Sequence, residues 1–176
     1  MTRQLDLILK EGGATYDWQL DFEVQPRYLD ARCKFWLSTV LEDLGGKGSF
    51  PLFEKVPVDF KFGRTLILWD EELVFNRYRG ITFRSDLYEE FQFTFLEGHK
   101  RLCRTYEKEA LKVGMQQRIW EGPPLATRVF GQPSEPGDFH GVGATGWKLL
   151  AYNHLQVDFL TRIHGYKLIR LSPYET

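Results

Sequence analysis

Tyr16-Asp17-Trp18-Gln19-Leu20-Asp21-Phe22-Glu23-Val24-Gln25, with the segment that follows it, decides how this chain is read. Tyr16, Trp18, Leu20, Phe22 and Val24 alternate strictly with acidic and amide side chains. Successive strand residues point to opposite faces, so a period of two predicts a strand buried on one side and wet on the other. That is the habit of an antiparallel sheet. Pro26 stops the strand, and from Leu29 the period changes. At about 100° per residue, Leu29, Cys33, Trp36, Leu37, Val40, Leu41 and Leu44 fall in one arc. Only Phe35 breaks the pattern. Asp30 is placed as an N-cap or first-turn acid and Gly45-Gly46 as a left-handed stop, so 28–44 reads as a core-facing helix.

Further strand signals surround this pair. Val56, Val58, Phe60 and Phe62 alternate with polar residues, and Pro57 assigns them to an edge strand. Thr65–Trp69 and Leu73–Tyr78 flank Asp70-Glu71-Glu72 as a hairpin, with Ile81–Arg84 extending it. Phe91, Phe93 and Phe95 read as another strand, turned by Glu97-Gly98-His99-Lys100 into Leu102–Tyr106. Leu5, Leu7 and Leu9 suggest a short strand before Gly12-Gly13. Residues 114–146 hold seven of the sixteen glycines and four of the eight prolines, which reads as a long Gly/Pro-rich loop. It is either a lid over a pocket or a solvent-exposed connection. In 147–163 the apolar residues scatter around a helical wheel, whereas Leu155, Val157 and Phe159 alternate with His154, Gln156 and Asp158. The prediction there is strands, followed by a turn at Ile163–Gly165 and a strand over Tyr166–Leu171. The fold class expected is α+β: an antiparallel, strongly curved sheet, hotdog-like or a partial barrel, packed around one main amphipathic helix. Residues 1–176 are read as a single domain.

Composition narrows the function classes. The chain has 176 residues and a net charge of −1, so it has no field to steer nucleic acid or an acidic membrane. No nucleic-acid and no membrane partner is expected. Fourteen Phe, eight Tyr and five Trp supply rings for a core or for an apolar pocket. Cys33 and Cys103 show no Cys-x-x-Cys or Cys/His spacing, which implies free thiols, no structural zinc and a cytoplasmic setting.

Motifs must be tested against their context. Gly141-Val142-Gly143-Ala144-Thr145-Gly146 has the letters of a dinucleotide fingerprint, but no strand is predicted before it and no helix after it. It reads as a turn-forming loop, and no cofactor is implied. Asp59-Phe60-Lys61 matches the D-x-K element of metal-dependent nucleases without a basic surface to go with it. An Asp/Lys pair on an edge strand accounts for it, and no metal is expected. His154 and Asp158 share a face at i, i+4 on either a strand or a helix. A histidine beside a carboxylate is the minimum for acid–base work. The competing account is a solvated strand face.

The order of strand 16–25, turn, helix 28–44 and several antiparallel strands is similar to the hotdog fold of acyl thioesterases and dehydratases, over about residues 16–113. That resemblance implies a homodimer and an acyl-thioester held in a tunnel at the subunit interface. It also implies an acid in the turn before the helix. Tyr28-Leu29-Asp30-Ala31-Arg32-Cys33 offers Asp30 there, without the glycine and histidine of a D-x-x-G-H-like run. On this reading the partner is an apolar small molecule or an acyl carrier. His154 and Asp158 would transfer protons, and the helix end near Asp30 would polarise a carbonyl. His140, Trp36 and Tyr152 are the candidate substrate-binding residues. Two other classes stand beside this enzyme: a curved-sheet protein binding an apolar ligand without chemistry, and an assembly protein using its sheet edges.

Overall fold

The structure is a computed structural model that describes residues 2–49 and 51–174. Its sheet has four strands in the order β1 (Asp17–Glu23), β2 (Lys55–Phe62), β3 (Thr65–Trp69) and β4 (Lys167–Leu171). The first three form an antiparallel meander, and β4 runs parallel to β3 with Leu66 beside Leu168 and Leu68 beside Arg170. Around it lie α1 (Thr2–Glu11), α2 (Ala31–Asp43), α3 (Arg77–Thr82), α4 (Leu87–Phe91), α5 (Leu96–Thr105), α6 (Glu107–Gly114), α7 (Gln117–Glu121), α8 (Pro124–Phe130) and α9 (Thr145–Ile163). The strongly curved antiparallel sheet expected from the sequence is therefore corrected to an open, mixed sheet accompanied by many helices. Parallel neighbours need a long crossover, and residues 70–166 are that crossover, whose regular elements are all helices.

The opening stretch behaves as its spacing demands. β1 alternates exposed and half-buried residues, and Trp18 and Phe22 stand opposite Phe60 and Val56 of β2. α2 begins where the Asp30 carboxylate accepts the Cys33 N–H at 2.8 Å. It ends where Gly45 takes a left-handed φ of +81° and Gly46 N–H donates to Leu41 O. Trp36, Leu37, Val40 and Leu41 are buried while Phe35 is 64% exposed, so the one residue that broke the helical arc is the one in solvent.

Elsewhere the short alternations mislead. Leu5, Leu7 and Leu9 lie on α1, not on a strand. Leu73–Tyr78 is a 3-10 turn entering α3, because the Asn76 side chain caps the Tyr78 and Arg79 N–H groups. Glu97–Lys100 is the first turn of α5, not a hairpin turn. β2 is internal, not an edge: it pairs with β1 over Lys55–Lys61, where Pro57 stands opposite Asp21, and with β3 over Phe60–Phe62. The segment 114–146 carries α7 and α8 between its glycines and prolines.

The largest correction concerns 147–163, which is the central helix α9. It touches α2, α3, α7, α8, β2 and β4. Being surrounded, it is buried on all sides, so no single apolar stripe marks it. Trp147, Leu155, Phe159 and Leu160 are fully buried, each contributing about 2–3 kcal/mol of apolar burial. The glycine run 141–146 does open a helix, but the element before it is α8 and not a strand. Gly143 lies against the Tyr78 hydroxyl, which also accepts the Ala144 N–H at 3.1 Å, and a Cβ there would collide with it. These glycines let the chain pass Tyr78 on its way into α9.

Candidate functional site

α9 brings two ionisable residues, His154 and Asp158, toward β3 and β4. Because β3 and β4 are parallel and in register, Asp70 just past the end of β3 and Arg170 near the end of β4 lie close together. α3 adds Arg79, α4 adds Tyr88 and α5 adds His99. The result is a fully buried charge cluster. Arg170 donates to Asp158 Oδ1 at 2.7 Å and to Asp70 Oδ1 at 2.5 Å. Arg79 donates to the other Asp158 oxygen at 2.5 Å, and the Tyr88 hydroxyl donates to it at 2.6 Å. His99 Nε2 lies 2.9 Å from Asp70 Oδ2; an ionised carboxylate only accepts, so that nitrogen carries the proton.

Two arginines face two aspartates, which balances formal charge inside the core. Burial alone would push both carboxyls up. Arg170 and Arg79 outweigh it at Asp158, and Arg170, His99 and His154 outweigh it at Asp70, holding both below the usual carboxylate range. The Tyr88 hydroxyl is pushed well up, first by burial and then by the neighbouring Asp158.

His154 stands at the edge of this cluster with one-fifth of its side chain exposed. Burial, then the adjacent Arg170 charge, lowers its pKa to about 3 against the pull of Asp70. It is therefore neutral at physiological pH. Its Nδ1 lies 3.0 Å from the Arg170 guanidinium. A guanidinium can only donate, so Nδ1 is the unprotonated acceptor and the ring proton is on Nε2. Asp158 is not its partner: Arg170 lies between them and engages both.

Beside His154 is a pocket of about 260 Å³. It opens where β2 and β3 part beyond Phe60 and the Asp59 carboxylate accepts the Trp69 N–H at 2.7 Å in place of a ladder bond. Its walls are mostly apolar, from Phe53, Pro57, Leu68, Trp69, Leu150 and Val157, with Asp70, Asn153 and His154 as the polar members. Asn153 Oδ1 is buried there with no hydrogen-bond partner among the described residues. Asp59 is half-buried, and burial followed by the Asp70 charge raises its carboxyl against the Trp69 hydrogen bond.

The other sequence candidates lie elsewhere, and none of them lines this pocket. Asp30 caps α2. Trp36 is core, edge-on to Phe91 and Phe159. The Tyr152 hydroxyl donates to Leu37 O at 3.2 Å. His140 is exposed in the loop before α9, its N–H donating to Asp138 and its carbonyl accepting from Ser134. Lys61 of the D-x-K element pairs with Asp17 across β1 and β2 at 3.4 Å. No group of three or more His, Cys, Asp or Glu side chains among the described residues could hold a metal ion. Sequence reasoning missed Asp70, Arg170, Arg79, His99 and Asn153. The available signal was Arg170 inside the apolar run Leu168–Leu171, because a charge interrupting a buried strand demands a buried partner.

A family model described as "Family of unknown function (DUF7255)" matches residues 39–176, more than half of the chain and all of the pocket-lining elements. No curated protein and no solved structure matches. No helix among the described residues is long and apolar enough to cross a membrane.

Proposed function

Given that the chain belongs to the family of unknown function DUF7255, we propose that it binds an apolar small molecule with a carbonyl- or amide-type head group in the pocket beside His154. One observation carries the reading. Arg170 occupies His154 Nδ1, which leaves Nε2–H as a donor, and Asn153, whose Oδ1 is unpaired among the described residues, lines the same mostly apolar recess. A head group that accepts from the imidazole and donates to the amide satisfies both, while the hydrocarbon walls take its apolar body. The volume suits a small ligand or one end of a longer one.

A second reading, an enzyme acting on an acyl-thioester or similar substrate, is favoured by Asp59. Its carboxyl, raised from the ordinary value first by burial, accepts the N–H of pocket residue Trp69 and so stands next to the recess. His154 would then be no base. As a neutral donor it would polarise the carbonyl, as neutral imidazoles do elsewhere.

Titration with octanamide followed by amide NMR, together with incubation with octanoyl coenzyme A, tests both. Binding predicts saturable shifts at Asn153 and His154, weakened on the order of tenfold by His154→Ala, with the thioester left intact. Thioester cleavage by the native chain that Asp59→Asn abolishes selects the enzyme. No saturable shift and no cleavage, or octanamide binding that His154→Ala leaves unchanged, removes the pocket assignment.

A further inference from the structure

A second concavity, of about 430 Å³, lies between α3 and α5 and shares no lining residue with the His154 pocket. Arg77 and Arg84 border it from α3 and the turn that follows, and Lys100 and Arg104 from α5. Its single carboxylate, Glu107, is already engaged: it accepts from Arg77 Nε at 2.6 Å and from the Arg77 backbone N–H at 3.1 Å. Lys100 pairs with Glu97 at 2.8 Å but keeps a third of its side chain exposed. Arg84 and Arg104 make no side-chain hydrogen bond or ion pair among the described residues, and both are exposed. Four cations against two carboxylates, Glu107 on Arg77 and Glu97 on Lys100, leave Arg84 and Arg104 uncompensated on a chain whose net charge is −1.

The floor is shaped to be occupied. Gly80 contributes no side chain, and a Cβ built on it would find its nearest neighbour, Cys103 Cβ, 3.9 Å away, so the space above this helix turn is open. Cys103 beneath it is buried and its thiol is pushed up to about 12, mainly by burial, which makes it an inert wall.

We propose that this concavity binds the phosphate group of a phosphorylated small molecule. Arginine forks match tetrahedral oxyanions better than they match a single carboxylate, and two arginines are uncommitted. The positive charge is gathered in one recess and does not run along an extended track, which favours a compact ligand over a polymer.

The test is isothermal titration calorimetry of the full chain with inorganic pyrophosphate in about 0.15 M salt, with a short oligothymidylate as the second probe. Pyrophosphate is expected to bind at one site, and Arg84→Gln with Arg104→Gln to weaken it at least on the order of tenfold. Those two exposed side chains make no hydrogen bond or ion pair among the described residues, so the melting temperature should hold. Gly80→Met fills the recess without altering a charge and is expected to give the same loss. No binding of pyrophosphate, or binding that survives both variants, overturns the site. An oligothymidylate that binds when pyrophosphate does not overturns the small-molecule assignment. Either result leaves the His154 pocket unaffected, since the octanamide titration reads that site separately.

Discussion

Arg170→Met tests the buried cluster most severely. The side chain is fully buried and engages Asp70, Asp158 and His154 together. Methionine keeps much of the volume and removes the charge, leaving Arg79 alone against two carboxylates. Breaking a buried pair by deleting one partner costs about 3–5 kcal/mol, a large share of a typical net stability of about 5–15 kcal/mol. Residual support for Asp158 from Arg79 and Tyr88, and for Asp70 from His99, points to the lower half of that range.

The pH response carries more information than the loss itself. In the native chain His154 titrates at about 3, against about 6.5 when unfolded. The unfolded state therefore binds the extra proton between those values, and stability falls as pH drops through that window by up to about 1.4 kcal/mol per pH unit. Asp70 and Asp158, held low, add further loss as pH falls below the ordinary carboxylate range. Without Arg170 the repulsion on His154 disappears and Asp70, 3.6 Å away, remains. Burial and the Arg79 charge still lower the imidazole, so its folded pKa rises from about 3 toward the unfolded value. The unfolded state's excess proton uptake then spans a narrower window, and less stability is lost as pH drops from about 6.5. The slope of stability between about pH 4 and about pH 6.5 should become shallower than in the native chain. Urea unfolding across this range, with His154 followed by proton NMR, measures both quantities. A loss under about 1 kcal/mol, or a slope as steep as that of the native chain, would refute the charge-balance argument.

Two further outcomes follow from the same structure. Asp30→Ala should cost about 1 kcal/mol by removing the cap on the Cys33 N–H, read as a lower urea midpoint at an unchanged m value; a neutral result would mean that the cap is replaced by solvent. Cys103, with its thiol near 12, should alkylate with iodoacetamide on the order of a thousandfold more slowly than free cysteine at mildly alkaline pH, and rapid labelling of the folded chain would show that the α3–α5 contact opens.

How much of this was legible beforehand depended on whether a segment has one wet face. β1 and α2 each do, so their periods of two and 3.6 were written in the residues and both elements are where the spacing put them. α9 has no wet face. Lys148, Gln156 and Asp158, which should have marked its solvent side, are buried with the rest, because their neighbours come from elsewhere in the chain. Asp158 is held by Arg79 and Arg170, Gln156 accepts the Phe53 N–H at 2.9 Å, and Lys148 lies over the rings of Tyr78 and Phe130. A charge in a central helix is a record of long-range partners, and periodicity contains no information about those. The site suffers the same blindness in a sharper form. His154 and Asp158 look like a pair by spacing, yet the group that decides what each can do is Arg170, which a parallel crossover delivers from the last strand. That guanidinium, with Arg79, keeps Asp158 ionised and, with burial, turns His154 from an expected base into a fixed donor, so the chemistry open to the pocket is set by topology before any ligand arrives.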